Sequence, residues 1–128
     1  MTILLDTCTF LWIVNGADEL SARARELVSD PVNAVLLSAA SAWEIGVKFA
    51  LGRLPLPDDP MRFVTTARIR HRIGELPIDE AAALNVGRLP TLHRDPFDRM
   101  LVSQAVLGGY TILTPDRLVT QYPAASTW

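Results

Sequence analysis

The sequence predicts an α/β fold, with a mainly parallel central sheet of about four to five short strands and helices on both faces. First, four short apolar runs alternate with longer segments in which apolar residues recur at helical spacing. Second, the runs are apolar throughout, which is typical of parallel strands covered by helices on both sides. Third, the 128 residues are 49% hydrophobic and 20% charged. This size and composition indicate one globular domain over residues 1–128.

The first half of the chain is predicted to hold two strands and three helices. Gly16 and Gly52 are expected to end the first and third helices, because glycine readily adopts the left-handed conformation that follows a helix. Ser21 supplies a side-chain oxygen that can cap the start of the second helix. The predicted elements are a strand at 2–5, a helix at 7–14, a helix at 22–29, a strand at 34–37 and a helix at about 39–51.

The second half continues this alternation after a loop over 54–60. Asp59 and Pro60 are predicted to be a helix cap followed by a first-turn proline, and Asp79 is predicted to cap the next helix. Gly108–Gly109 is expected to end the long helix near the end of the chain. The predicted elements are a helix from 60 to about 72, a strand at 75–78, a helix at 80–87, a helix from about 96 to 108, a strand at 110–113 and a short helix near 116–121.

Bulk composition excludes several classes of function. The net charge of −2 and the pI of about 5.6 give no overall positive field for nucleic acid, so such contacts must depend on local patches. The single cysteine, Cys8, excludes a disulfide framework within the chain and cysteine-rich zinc sites. No signal peptide is recognisable, and no apolar run approaches the ~20 residues that span a bilayer. We therefore expect a cytoplasmic protein with no membrane contact.

Four acidic residues stand at or near the predicted carboxyl ends of strands, where parallel sheets bind ligands. Asp6 directly follows the first strand, and Asp116 comes three residues after the fourth. Glu44 lies on the helix after the second strand, and Asp98 lies on the helix before the fourth. Each acid also has a purely structural alternative. Asp6 and Asp116 could cap helices, Glu44 could pair with Lys48 on a solvated face, and Asp98 could belong to a capping box.

The segment HRDPFDRMLVSQAV places two aspartates at the start of one helix. Asp95 precedes Pro96, a favourable first-turn residue, so its carboxylate is expected to cap the helix. Asp98 then lies one turn further on, above an apolar stripe that continues at Leu101 and Val102. A carboxylate over an apolar face is costly unless something neutralises it, and a divalent cation would do so.

Several carboxylates that converge on one pocket cannot all stay ionised without a cation. Ligand sets made only of oxygen atoms favour Mg²⁺ or Mn²⁺ over zinc or copper. The usual chemistry of such a site is attack of a metal-activated water on a phosphodiester bond. Acids at these spacings are common, so the pattern alone supports only this general class of site.

Four segments, in this order, resemble PIN-domain ribonucleases of the VapC toxin type: LLDTCTFLW, SAASAWEIGVK, HRDPFDRMLVSQA and ILTPD. The resemblance covers nearly the whole chain, and DPFDRML is its most specific part. It implies a PIN-like fold and a site that holds Mg²⁺ or Mn²⁺. The chain departs from close relatives at Cys8, where a larger polar residue is common, and at Ser103. The catalytic and metal-holding positions that the resemblance implies are Asp6, Glu44, Asp98 and Asp116.

The resemblance also implies an activity and partners. The chain would be an endoribonuclease toxin of a type II toxin–antitoxin pair, with RNA as substrate, a cognate antitoxin protein as inhibitor and a homodimer as assembly. Arg94 and Arg99 flank the predicted pocket and are candidates for RNA contact, although a solvated face would also explain them. Thr114 could hydrogen-bond an acid in the pocket. His93 is expected to be an ordinary loop histidine, and Cys8 a small apolar filler.

Two other functions fit parts of the same pattern. A haloacid dehalogenase-like phosphatase also begins with a strand and an aspartate, but it needs a second aspartate two residues later, where this chain has Cys8. A non-enzymatic signalling domain with an acidic phosphoacceptor pocket would cluster its acids early and place a lysine after a late strand. The segment TILTPDR has no lysine. A nucleotide-binding module is excluded because no glycine-rich phosphate loop is present.

Overall fold

The computed structural model describes residues 1–128 and contains one five-stranded sheet with helices on both faces. The predicted α/β class and the predicted order of helices and strands are confirmed. The elements are β1 (Thr2–Leu5), α1 (Thr7–Asn15), α2 (Ala22–Ser29), β2 (Ala34–Ser38), α3 (Ala39–Ala50), α4 (Pro60–Arg70), β3 (Gly74–Leu76), α5 (Glu80–Asn85), α6 (Pro96–Gly108), β4 (Thr111–Leu113), α7 (Arg117–Thr120) and β5 (Ser126–Thr127), with a 3₁₀ turn at Val86–Arg88.

All strand pairs are parallel, and the strand order is β3-β2-β1-β4-β5. The chain winds outward from β1 to β3 and then crosses back to place β4 beside β1. Such a reversal leaves a crevice at the carboxyl ends of the two central strands, where α/β sheets bind ligands. Leu5 is in register with Leu37 and Leu113, so the residues that follow these three begin at the same edge of the sheet.

The central strands are buried on both faces, which explains their unbroken apolar sequence. Ile3 and Leu5 pack with Phe10 in a core that residues of α1, α2 and α4 complete. Leu4 and Ile112 face the opposite way, into a second core with residues of α6 and α7. All five of these side chains are fully buried. The two cores hold the carboxyl edge of the sheet as a rigid base for the residues that follow it.

Helix ends follow the predicted chemistry with one exception. Gly16 and Gly109 end α1 and α6 in the left-handed conformation, with φ of 61° and 69°. The side chains of Ser21 and Asp79 accept hydrogen bonds from backbone N–H groups at the starts of α2 and α5. Asp59 occupies the cap position of α4, but its side chain makes no capping hydrogen bond, so that prediction is wrong in its contact.

Strand β3 differs from its predicted extent of 75–78, and strand β5 was not predicted. β3 begins at Gly74 and ends at Leu76, because Pro77 has no N–H group with which to continue the ladder. β5 was not located from the sequence. It has only two residues, and Ile112 and Thr114 of the β4 segment donate backbone hydrogen bonds to Ala125 and Thr127. None of the helices combines the length and the apolar character that crossing a bilayer requires.

Candidate active site

The four acids predicted from the sequence lie near the carboxyl edge of the sheet, beside the crevice left by the reversal of strand order, which we call the cleft. Asp6 directly follows β1, Glu44 projects from α3, Asp98 lies in the first turn of α6, and Asp116 caps α7. Burial is the main cause that raises the pKa of Asp98 and of Asp6; the charges of Glu44 and Asp116 add to the rise at Asp98, and the charge of Asp116 adds to that at Asp6. The acids therefore share one electrostatic environment. No three Asp, Glu, His or Cys side chains, however, are arranged so that they could hold one metal ion together.

Asp6 is buried at the carboxyl end of β1, with 6% of its surface exposed. Its Oδ1 accepts a hydrogen bond of 2.7 Å from the backbone N–H of Thr9, so it caps α1. Its Oδ2 accepts a hydrogen bond from the hydroxyl of Thr114. Burial raises the pKa of Asp6, and the hydrogen bonds from Thr114 and Thr9 oppose that rise. Both oxygens keep lone pairs for a further ligand, so capping does not exclude a second role.

Glu44 is also buried, although its partner is not. Its Oε1 accepts a hydrogen bond of 2.6 Å from the hydroxyl of Thr7, and its Oε2 pairs with the ammonium group of Lys48. The side chain of Glu44 is 8% exposed, whereas that of Lys48 is 46% exposed. The hydrogen bond to Glu44 raises the pKa of Lys48. The pair therefore differs from a solvated helix pair, because its carboxylate is buried.

Asp95 and Asp98 take the different positions that the sequence predicted. Asp95 Oδ1 accepts hydrogen bonds from the backbone N–H groups of Phe97 and Asp98, at 2.9 and 3.2 Å, and so caps α6. Asp98 lies under partial cover, with its side chain 19% exposed. Burial first, and then the charge of Asp95, raise the pKa of Asp98 to about 6. Its Oδ2 contacts His93, and its Oδ1 has no hydrogen bond from the protein.

Thr114 and Asp116 connect β4 to the cleft. Thr114 is 1% exposed and donates its hydroxyl hydrogen to Asp6, so the hydrogen bond to an acid that the sequence allowed is present. The same hydroxyl oxygen accepts a hydrogen bond of 3.0 Å from the backbone N–H of Asp116. Asp116 Oδ1 in turn accepts from the backbone N–H of Leu118 at 2.9 Å. Thr114 thus fixes the carboxylate after β1 and the turn after β4 at the same time.

His93 and Tyr122 are functional candidates that the sequence analysis missed. His93 Nε2 lies 3.2 Å from Asp98 Oδ2, and His93 Nδ1 lies 2.7 Å from the Tyr122 hydroxyl. The expectation that His93 is an ordinary loop residue is therefore wrong. The only sequence signal is that a buried tyrosine usually needs a partner for its hydroxyl. Nothing in the sequence indicates that this partner lies 29 residues earlier.

The two predicted arginines have different surroundings. Arg94 is exposed and makes no hydrogen bond or ion pair with the protein. The guanidinium of Arg99 donates to the carbonyl oxygens of Val86 and Pro90, at 3.0 and 2.8 Å, and to the hydroxyl of Tyr122 at 3.0 Å. These bonds fasten the loop before α6, so the donors of Arg99 are engaged within the protein.

Cys8 lies at the rim of the cleft, and the expectation of an apolar filler is wrong because the residue is exposed. Partial loss of solvent raises the pKa of its thiol, and the charges of Asp6, Glu44 and Asp98 raise it further. Desolvation and the negative charges of these acids thus both favour the protonated thiol. It has no base that would make it a nucleophile.

Comparison with known sequences gives two matches. The family model of the PIN domain matches residues 3–124. A 57-residue segment is 42% identical to a protein named Ribonuclease VapC16 from Mycobacterium tuberculosis. That segment is 44% of this chain and 40% of the relative, so the chain matches less than half the length of this curated protein.

Comparison with solved structures gives similar folds over nearly the whole chain. VapBC2 from Rickettsia felis, bound to a DNA fragment from its promoter, matches with a TM-score of 0.73 at 15% identity and covers 99% of this chain and 98% of its own. DNA-bound VapBC from Salmonella typhimurium matches with a TM-score of 0.67 at 18% identity, over 98% and 96% of the two chains. FitAcB from Neisseria gonorrhoeae matches with a TM-score of 0.62 at 20% identity, over 98% and 96%. At these identities the likeness shows the fold alone.

Proposed function

Since this chain belongs to the PIN domain family, we propose that it is a Mg²⁺- or Mn²⁺-dependent endoribonuclease and the toxin of a type II toxin–antitoxin pair. The observation that carries the proposal is the gathering of Asp6, Glu44, Asp98 and Asp116 around one cleft at the reversal point of the sheet. The relative named as a ribonuclease supports RNA as the substrate. The matched VapBC structures support an antitoxin as partner.

The chemical type of the side chains at the cleft suits a hard divalent cation. Every candidate ligand is a carboxylate oxygen, the donor type that Mg²⁺ and Mn²⁺ prefer. Burial is the main cause of the raised pKa values of Asp6 and Asp98, and neighbouring carboxylates add to it. A bound cation would favour the ionised form of both acids. We propose that Asp6 and Asp98 are the principal ligands and that Glu44 and Asp116 complete the set. A bound ion would supply an activated water and neutralise charge that develops on the phosphate. The acids do not surround a single point, so we expect their side chains to shift on binding.

The chain's own residues prepare the cleft for this role. The backbone N–H of Thr9 donates a hydrogen bond to Oδ1 of Asp6, and the hydroxyl of Thr114 donates one to Oδ2. These two bonds fix the direction of the remaining lone pairs of the carboxylate. The ammonium group of Lys48 balances the charge of Glu44 in the metal-free protein. Asp95 is occupied by backbone N–H groups, so it contributes charge to the cleft but is not proposed as a ligand. Asp95 is therefore proposed to act as a helix cap alone, whereas Asp6 and Asp116 combine capping with metal binding.

We propose that RNA enters beside the loop that precedes α6. Arg94 on this loop is exposed and has no partner within the protein, so its guanidinium is available to a phosphate. Arg99 is proposed to act indirectly, because its donors hold the loop in place through Val86 and Pro90. With a net charge of −2 the protein has no general attraction for RNA, so binding must depend on such local contacts.

The proposed homodimer would use an apolar surface formed by α5 and α6. Leu84 is 72% exposed, Leu107 is 52% exposed and Val106 is 41% exposed. Leu84 and Leu107 line the same surface depression, and contiguous exposed apolar surface is typical of a face that packs against another copy or a partner. Light scattering of the purified chain and of the chain co-expressed with its neighbouring antitoxin would measure both assemblies.

The experiment that tests the proposed activity is incubation of purified protein with single-stranded RNA in Mg²⁺, in Mn²⁺ and in EDTA. We expect cleavage with either ion and none in EDTA. Asp98→Asn should abolish cleavage, whereas Asp79→Asn, a matched change at the cap of α5, should leave it intact. Parallel reactions with p-nitrophenyl phosphate and acetyl phosphate test the phosphatase and signalling alternatives. Cleavage that persists in EDTA, or hydrolysis of only the small phosphates, would reject the proposal.

A further inference from the structure

The hydroxyl of Tyr122 forms hydrogen bonds with both Arg99 and His93 and has no role in the mechanism proposed so far. Tyr122 is 3% exposed and packs in the second core, so its position is fixed. Its hydroxyl oxygen accepts hydrogen bonds from the guanidinium of Arg99 at 3.0 Å and from the backbone N–H of His93 at 3.2 Å. A phenolic oxygen has two lone pairs and one proton, so both lone pairs are filled and only the proton remains to be placed.

The remaining proton of Tyr122 fixes the tautomer of His93. Two acceptors lie in reach, the ring Nδ1 of His93 at 2.7 Å and the backbone carbonyl of His93 at 3.5 Å. The shorter and stronger hydrogen bond is to Nδ1, which must therefore be unprotonated. In neutral imidazole the proton then resides on Nε2. That nitrogen lies 3.2 Å from Asp98 Oδ2, so it donates to the carboxylate.

The consequence for Asp98 is a defined orientation. The Nε2–H group of His93 holds Oδ2, and Oδ1 is left without a protein partner. The imidazole itself is 10% exposed and lies against the Tyr122 ring, with centroids 5.3 Å apart, so it has little freedom to turn. Packing in the second core fixes Tyr122, the hydroxyl of Tyr122 orients His93, and His93 orients the carboxylate of Asp98.

We propose that His93 is the positioning residue for Asp98 and that Tyr122 sets the tautomer in which it does so. The assignment of the tautomer stands on the hydrogen bonds alone, and its importance for cleavage rests on the proposed function. Outer hydrogen bonds of this kind commonly affect metal affinity by about 10- to 100-fold, because they orient the ligand and fix its charge state.

The first test reads the tautomer directly in the metal-free protein. The chain has two histidines, His71 and His93, so ¹⁵N-labelled imidazoles give two ring systems that a His71→Leu variant assigns. At a pH where the ring of His93 is neutral, we expect its proton on Nε2. A proton on Nδ1 of neutral His93 would overturn the proposal. This measurement needs neither RNA nor metal, so it decides the inference even if the proposed nuclease activity fails.

The second test measures Mn²⁺ affinity by calorimetry in variants whose fold is checked by circular dichroism. His93→Leu should weaken affinity about 10-fold or more. His93→Gln can place an amide N–H near the position of Nε2 and should recover part of the loss, whereas His71→Leu should match the wild type. Tyr122→Phe should weaken affinity less than His93→Leu, because Asp98 still attracts Nε2–H. Unchanged affinity in His93→Leu would reject the positioning role. Mn²⁺ binding without RNA cleavage by the wild type would instead reject only the proposed function.

Discussion

Replacement of Asp98 by asparagine should stabilise the metal-free protein, because the folded state pays to keep this carboxylate ionised. Its pKa is about 6 in the folded protein, against an ordinary value of 3.8. Between these values the folded state binds more protons than the unfolded state. The free energy of unfolding of the wild type therefore rises as the pH falls from about 7 to about 4. Above about pH 7 the ionised Asp98 destabilises the folded state to its full extent.

The size of the expected effect follows from the raised pKa of Asp98 and from two interactions that the substitution weakens. The difference between a pKa of about 6 and the ordinary value of 3.8 corresponds to about 3 kcal/mol, and the side chain is only 19% exposed, so screening by solvent is limited. Asparagine loses the favourable position of a negative charge in the first turn of α6, which costs about 0.3–1 kcal/mol. It also makes a weaker hydrogen bond with His93. We expect a net gain of about 1–2 kcal/mol above pH 7.

Urea unfolding in EDTA at several values between pH 4.5 and pH 8 measures this effect. The advantage of Asp98→Asn should be largest at pH 8 and shrink as the pH falls through 6. Asp79→Asn makes the same substitution at the cap of α5, outside the cleft, and should not stabilise the protein at pH 8, because asparagine caps a helix about as well as aspartate. A variant that is less stable than the wild type at pH 8, or an advantage that stays constant with pH, would refute the reasoning.

Three further changes probe neighbouring contacts. Thr114→Val removes the hydrogen bond that opposes the rise in the pKa of Asp6, so the acid limb of the pH–rate profile should move to higher pH. Thr114→Ser keeps a hydroxyl group and should return the acid limb to its wild-type position. An acid limb that does not move in Thr114→Val would contradict this role of Thr114. Lys48→Met leaves Glu44 without its cation and should lower the free energy of unfolding in EDTA by about 1 kcal/mol, a value reduced because the ammonium group is exposed. Urea unfolding measures this loss, and an unchanged stability would show that the ion pair is not stabilising. Asp95→Ala should lower the free energy of unfolding by about 1 kcal/mol while RNA cleavage persists, because the carboxylate of Asp95 caps α6. Asp95→Asn should lower it little, since asparagine also caps helices. Loss of cleavage in Asp95→Asn would assign Asp95 a direct role in the reaction.

Local chemistry made much of the fold predictable. Unbroken apolar runs indicated strands buried on both faces, and the two cores at Ile3 and Leu4 account for that pattern. The separate positions of Asp95 and Asp98 followed from capping rules, which act within one turn of helix. Strand β5 was beyond such rules, since two residues carry no periodicity and are defined only by their pairing with β4.

Contacts between distant residues limited the prediction of the cleft. The hydrogen bond from Thr114 to Asp6 joins residues 108 positions apart, and its partner could not be named from the sequence. The hydrogen bond between His93 and Tyr122 depends on the direction of the chain after the last helix, which the sequence does not show. His93 was therefore assigned an ordinary loop role. Cys8 was misassigned because an apolar neighbourhood in sequence does not determine which side of α1 faces solvent.

An anomalous difference map from a crystal soaked in Mn²⁺ tests the central claim most directly, because it locates the ion without assuming a reaction. The proposed function predicts a peak in the cleft within coordination distance of Asp6 and Asp98, with the other oxygen ligands drawn from Glu44, Asp116 and solvent. The same soak of Asp98→Asn crystals should show the peak lost or strongly reduced. An empty cleft at millimolar Mn²⁺ in wild-type crystals, or a peak held by residues outside it, would contradict the assignment of these acids as a metal site.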